Sequence, residues 1–216
     1  MTILGISASG RPDGITSQAI KAILEATGEP TTTISLAGKR INGCRGCTQC
    51  AADNRCVVQD DWQAIGDAML AADAIVFGAP NYYGTINALG HACLERTFCF
   101  RHREVFSLAG KLGVAVAVDD ERNGPVFGYI QRVMRSNLMP IVGTVRAEGY
   151  SQCYTCGFGA DCAVGGVVGQ HGFLECIQAD HLPARFDEQP DGPHQAYKIG
   201  KTLGSILEAR RARGDL

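Results

Sequence analysis

Short runs of apolar, β-branched residues alternate along the chain with stretches whose apolar positions recur every three or four residues. That alternation predicts an α/β fold, a parallel sheet covered by helices on both faces. The first apolar run covers residues 2–6 and ends in a Ser/Gly-rich turn. A helix is expected next, with Thr16 or Ser17 as its cap and Ile20, Ile23, Leu24 and Thr27 on one face. TTTISLAG supplies a second strand. A helix through Trp62, Ile65 and Met69 leads to a third, AIVFGAP, an apolar run of the kind that is buried on both faces. Helix is expected again over residues 86–100, then the strand LGVAVAV, a helix around 128–136 and a fifth strand near MPIVGTV. Five such units fit a doubly wound, five-stranded parallel sheet, which binds ligands at the carboxyl ends of its strands.

The periodicity fades from residue 149 to about 182, where the chain turns Gly- and Cys-rich, and returns in a closing amphipathic helix with Ile199, Leu203, Ile206 and Leu207 at helical spacing. Its tip, ARRAR, suits the negative end of the helix dipole and reads as a solvated face. The expected organisation is a core domain over 1–148, carrying a cysteine loop at 41–60. A Cys-rich extension and terminal helix over 149–216 pack on that same domain.

Composition narrows the function. At 216 residues, with 45% hydrophobic and 19% charged side chains, the chain can bury a core without disulfides or metals. A net charge of −2 without a basic stripe argues against nucleic-acid binding. The start, MTILGISASG, has neither the basic nor the apolar region of a signal peptide, and no apolar run approaches a membrane span of ~20 residues. A cytoplasmic, reducing location is therefore expected, with no membrane partner. There, ten cysteines point to metal binding more readily than to disulfides.

Two segments carry candidate chemistry. After the first strand, Ser7-Ala-Ser-Gly-Arg-Pro-Asp-Gly-Ile-Thr-Ser17 opens into a helix, where free N–H groups and the positive dipole end favour a phosphate. Hydroxyls add donors and Arg11 a charged fork. The bland alternative is a polar turn with an ordinary cap. Neither the dinucleotide GxGxxG nor the GK[ST] of a P-loop is present, which disfavours a tightly bound dinucleotide or an NTPase.

The second segment is Cys44, Cys47, Cys50 and Cys56, spaced C-x2-C-x2-C-x5-C. Three thiolates at successive three-residue steps are similar to ferredoxin loops around a [4Fe-4S] cluster, and Cys56 can complete the set. Structural zinc usually draws on two knuckles set further apart, though zinc and disulfides stay open. A second set, Cys153, Cys156, Cys162 and Cys176, has one CxxC and two dispersed members. It suits a second cluster, a zinc ion or idle thiols. Cys93 and Cys99 fall in a helical stretch and read as core, and the five histidines read as surface or structural.

These residues resemble the iron–sulfur flavoprotein family, within the flavodoxin-like NAD(P)H-dependent FMN reductase superfamily. The resemblance is carried over roughly the first two-thirds of the chain by S-x-R-x-x-G (Ser9, Arg11, Gly14), the compact cysteine motif, DD-x-x-x-I (Asp60, Asp61, Ile65) and AADAIVFGAPNYYGTIN. It implies strand order 2-1-3-4-5 and FMN, with the phosphate on Ser9, Arg11, Ile15, Thr16 and Ser17. Pro80, Asn81, Tyr82, Tyr83 and Gly84 would line the flavin ring, and the loop from Asp119 to Gly124 would approach from the other side. From the residues themselves, the tyrosines offer stacking faces or a hydrophobic lid, and Asp119 or Asp120 a group that tunes the flavin. Gly10 and Ile15 stand where the family usually has Pro and Asn, and Gly90, Glu95 and Arg96 where it has Lys and Asp-Arg. The implied function is a flavin-dependent oxidoreductase that takes electrons from ferredoxin or NAD(P)H and assembles as a homodimer or homotetramer. Arg101-His102-Arg103 would meet an acidic ferredoxin or a cofactor phosphate, or form a solvated turn. The rivals are an NAD(P)H-dependent FMN or quinone reductase with structural zinc, and a non-catalytic redox or metal sensor.

Overall fold

A computed structural model describes residues 1–119 and 125–214. Residues 120–124 of the loop expected beside the flavin, Asp120 among them, lie outside the described residues. The elements run β1 (Ile3–Ser7), α1 (Ile15–Thr27), β2 (Thr31–Ser35), α2 (Trp62–Ala71), β3 (Ala74–Tyr82), β4 (Thr85–Ile86) and α3 (Ala88–Glu95). They continue with β5 (Leu112–Asp119), α4 (Val126–Ser136), β6 (Ile141–Glu148), α5 (Gly166–His171) and α6 (Gly192–Arg213). The parallel strands lie in the order β2-β1-β3-β5-β6, with β4 a two-residue antiparallel addition to β3. This is the expected doubly wound order, and every crossover leaves its loop at the carboxyl edge of the sheet.

Alternation within the strands divides the core. Leu4, Ile6, Ile75, Phe77, Ala115 and Ala117 face one way, against Trp62 and Ile65 of α2 and Ile130 and Met134 of α4. Ile3, Val76, Val114, Val116 and Val145 face the other, against Ile20 and Ile23 of α1 and Leu203 and Leu207 of α6. The terminal helix thus closes the second face rather than decorating it. The expected helix over 86–100 is shorter: α3 stops at Glu95, and Arg96–Phe100 tighten into a 3₁₀ segment.

Close contact between α1 and α6 depends on two glycines. A Cβ on Gly204 would stand 2.3 Å from the Thr27 carbonyl oxygen, and one on Gly200 2.5 Å from that of Ile23. Gly204→Val is expected to force the helices apart and cost about 1–3 kcal/mol. The check is a lower urea midpoint at unchanged slope. The basic tip is not simply solvated, as the sequence suggests: Arg210 donates to the Gly110 carbonyl at 2.8 Å, and Arg211 pairs with Glu29. No described helix is long and apolar enough to cross a membrane.

Candidate functional site

The turn after β1 is fixed before any ligand arrives. Ala8 donates its N–H to Gly78 of β3 at 2.8 Å, and the buried Asn87 side chain donates to the Ala8 carbonyl at 2.7 Å. Ser9 Oγ accepts the Arg11 N–H, and Gly14 N–H closes onto the Arg11 carbonyl. Because this tight turn ends on Gly14, Gly14 becomes the N-cap and α1 starts at Ile15, two to three residues before the expected caps complete a turn. Thr16 and Ser17 are therefore first-turn residues. Ser17 Oγ turns back to Ser7 Oγ at 2.9 Å and does not line the cleft, whereas Ser9, Arg11, Ile15 and Thr16 do. The amides of Ile15 and Thr16 occupy the open, electropositive end of α1.

Across the cleft stand Pro80, Asn81, Tyr82, Tyr83 and Gly84, with Val118 and the buried Asp119 on its floor. Tyr82 pairs with Thr85, so Tyr83 and Gly84 form a two-residue hairpin turn with both φ angles positive, 52° and 76°. Such turns match strand twist but favour glycine or asparagine at both positions. A tyrosine held there is strained, and its ring is fully exposed. The tyrosines do not lie as a lid on the sheet edge. Asn81 carries a buried side-chain oxygen with no partner among the described residues, an acceptor turned toward no protein donor.

The segment after β6 closes the cleft from a third side, which the sequence did not suggest. The Arg11 guanidinium lies 4.5 Å from the centre of the Tyr150 ring and donates to Thr155 Oγ1 at 3.3 Å. Gln152 donates to the Tyr82 hydroxyl at 3.2 Å, and Cys153 completes the wall.

The cysteine loop is built around one arginine. Arg96 is completely buried, paired with Asp60 at 2.9 Å, and donates to the carbonyls of Asn42 and Val58 at 2.9 and 3.2 Å. Its guanidinium lies over the Trp62 ring. Asp60 also accepts the Asn42 N–H, while Asp61 accepts the Arg40 N–H. Burial alone would raise the Asp60 pKa, but the hydrogen bonds from Asn42, Arg96 and the Trp62 amide outweigh it and hold the carboxyl below its ordinary value. Next to Arg96, Glu95 accepts the Cys44 N–H at 2.8 Å. The acidic pair of the DD-x-x-x-I motif, with Glu95 and Arg96, is thus the clamp that shapes this loop.

Cys44, Cys47, Cys50 and Cys56 line one recess with Arg96, Phe98 and Cys99. Cys44 Sγ accepts the Gly46 N–H at 3.4 Å. Cys50 is half-buried, and burial raises its pKa. His102, read from the sequence as surface or structural, places Nε2 3.0 Å from Cys50 Sγ. Its backbone N–H is held by Asn54 at 2.8 Å, and Asn54 in turn donates to the Cys50 carbonyl. Arg103 donates to the Ala52 carbonyl, and Arg101 packs on Phe98 and Phe106, so the Arg-His-Arg turn braces the loop. Cys93 and Cys99 are core, as expected, with burial pushing both thiols up to about 12. Among the described residues, no three Cys, His, Asp or Glu side chains converge tightly enough to hold a single metal ion. Of the second set, Cys153 and Cys162 are half-buried, and Cys156 and Cys176 exposed.

Residues 1–152 match the model of the NADPH-dependent FMN reductase family. An iron–sulfur flavoprotein of Methanocaldococcus jannaschii is 38% identical over 136 residues, covering 62% of this chain and 69% of that protein. One from Methanosarcina thermophila is 34% identical, covering 66% and 78%. The chain belongs to the iron–sulfur flavoprotein family. It is a flavin-dependent oxidoreductase of the flavodoxin-like FMN reductase superfamily. An Archaeoglobus fulgidus member is 29% identical across 97% of this chain, so the likeness extends past the core into the C-terminal region. The fold is also that of a solved archaeal flavodoxin (TM-score 0.50, 12% identity, covering 96% of this chain and 99% of that one). RosB shares it as well, at TM-score 0.56 and 16% identity, covering 100% and 88%.

Proposed function

We propose that the cleft binds FMN and that Cys44, Cys47, Cys50 and Cys56 hold a [4Fe-4S] cluster. Electrons would pass between a reduced donor, ferredoxin or NAD(P)H, and an acceptor by way of the flavin. When bound, the flavin supplies two-electron exchange and the cluster one-electron exchange, so together they convert one currency into the other. The chain's own residues bind and orient. Arg11 and the first-turn amides of α1 suit a phosphate, the orphaned Asn81 oxygen suits the imide N–H of an isoalloxazine ring, and Tyr82 and Tyr83 offer faces for stacking.

The observation that carries the reading is the single recess lined by all four thiols and clamped by Glu95 and Arg96. A lone zinc with Zn–S bonds of about 2.3 Å would need its thiolates about 3.8 Å apart. A cubane takes one thiolate at each of four separated irons, and the four thiols that share this recess supply that number.

The test is an absorption spectrum of protein purified without oxygen, with iron, sulfide and flavin measured on the same sample. The expected outcome is flavin bands over a broad sulfur-to-iron shoulder, with one flavin and about four irons per chain. Flavin with zinc and no iron would replace the cluster by a structural metal in a plain reductase. No flavin and no electron transfer to a dye would leave a sensor.

A further inference from the structure

The cysteine motif near residue 153 has no part in the reading above, yet its first residue stands in the wall of the proposed flavin cleft. Cys153 lines that cleft together with Ser9, Arg11, Asn81 and Tyr82. The segment that bears it is docked there by Gln152 on Tyr82, by Thr155 on Arg11 and by Tyr150 against the Arg11 guanidinium. Cys156 follows at CxxC spacing, and its thiol folds back to donate to the Cys153 carbonyl at 3.4 Å. Each sulfur also receives a backbone N–H: Gly166 to Cys153 at 3.3 Å and Phe158 to Cys156 at 3.4 Å. Cys153 lines the cofactor cleft and is half-buried, and Cys156 is exposed to solvent.

We propose that Cys153 and Cys156 form a redox-active dithiol that exchanges electrons with the flavin. The inference rests on FMN occupying the cleft. In the oxidising direction two S–H bonds break and one S–S bond forms between Cys153 and Cys156. The two electrons and two protons released reduce FMN to its dihydro form. With reduced flavin present the same exchange runs backwards and the disulfide opens to two thiols. Cys153 is the cysteine that lines the cleft, and Cys156 is the one that resolves it.

The local chemistry suits that division. The Gly166 amide, then the Ser151 hydroxyl, hold the Cys153 thiol below its ordinary pKa, the property that makes a thiol the attacking partner in exchange. By contrast, burial keeps Cys93 and Cys99 protonated. The surrounding segment has little core of its own, with Phe158, Val164 and Phe173 exposed and only Tyr154 and Val167 among its large apolar side chains buried. The turn can therefore shift to close or open a disulfide without disturbing the sheet.

The test is an anaerobic reductive titration of the FMN-loaded chain, with the thiols trapped by alkylation and the peptide carrying both cysteines weighed at each potential. The expected result is a reversible disulfide on that peptide. Wild type should take up two more electrons per chain than Cys156→Ser before the flavin is fully bleached, as a two-electron couple requires. Cys153→Ser should remove the same two electrons, whereas Cys162→Ser and Cys176→Ser should not. Three results overturn the proposal: no disulfide at any potential, an equal electron count in wild type and Cys156→Ser, or a metal retained by a Cys44→Ser/Cys47→Ser chain and lost with Cys162→Ser. Flavin content on the same sample separates the two readings. A chain that holds FMN but lacks the couple overturns the dithiol alone, while a chain that holds no FMN overturns both.

Discussion

Arg96→Met is expected to lower folding stability by about 3–5 kcal/mol, because it leaves the Asp60 carboxylate buried without its cation. The carbonyls of Asn42 and Val58 lose their donor in the same step. Urea unfolding at neutral pH measures the loss. A double variant, Asp60→Leu with Arg96→Met, should recover a large part of it, since an apolar pair need not be desolvated as charges are. The effect also carries a pH signature. The Asp60 pKa is depressed in the folded chain, so its contribution is fully present above the unfolded value of about 3.9 and is lost as pH falls through the lower folded value. The gap between wild type and Arg96→Met should therefore narrow in acid. A single variant within about 1 kcal/mol of wild type at pH 7 would show that the clamp contributes no more than an exposed surface pair does.

Arg11→Ala is expected to weaken FMN binding about 10- to 100-fold, the equivalent of about 1.5–3 kcal/mol for a charged hydrogen bond to phosphate. Quenching of flavin fluorescence on titration into the apoprotein reads it directly. Riboflavin, which has no phosphate, should bind wild type and variant alike, and the wild-type affinity for FMN should fall with added salt. Because Arg11 also packs on Tyr150 and Thr155, an equal loss for riboflavin would reassign it to holding the C-terminal segment in place.

The sheet was legible in the sequence because its central strands are buried on both faces and therefore read as uninterrupted apolar runs, as in LGVAVAV. The polar turn after β1 was legible as a strand-to-helix loop, but its cap was misplaced. Ser and Thr signal caps, and here the turn made by Ser9, Arg11 and Gly14 sets the helix start two residues earlier. The four compact cysteines announced themselves by spacing, but what shapes their loop did not. Arg96 meets Asp60 and Asn42 across 36 and 54 residues of chain, and no local pattern reports a pairing at that range. The available hint was the charged pair in CLERTFCF, of which Arg96 becomes buried and Glu95 stays exposed. His102 was hidden for the same reason, since it reaches Cys50 from 52 residues away. The docking of Gln152 and Thr155 on the cleft was equally out of reach, because the glycine-rich segment around them has no periodicity to read.

Helix α3 joins these two regions as a spacer of fixed length. Its N-cap, Asn87, grips the Ala8 carbonyl at the root of the phosphate loop, and the residues at its other end, Glu95 and Arg96, grip the cysteine loop. Eight helical residues at 1.5 Å each make the rod between those grips about 12 Å long. If flavin and cluster are held as proposed, their separation is gauged by this one short rod rather than by the loops that line them. Electron transfer weakens steeply with distance, so the length of the rod would then set how readily the two groups exchange electrons. One added turn, about 5.4 Å, is expected to slow that exchange while leaving every residue that lines either recess unchanged.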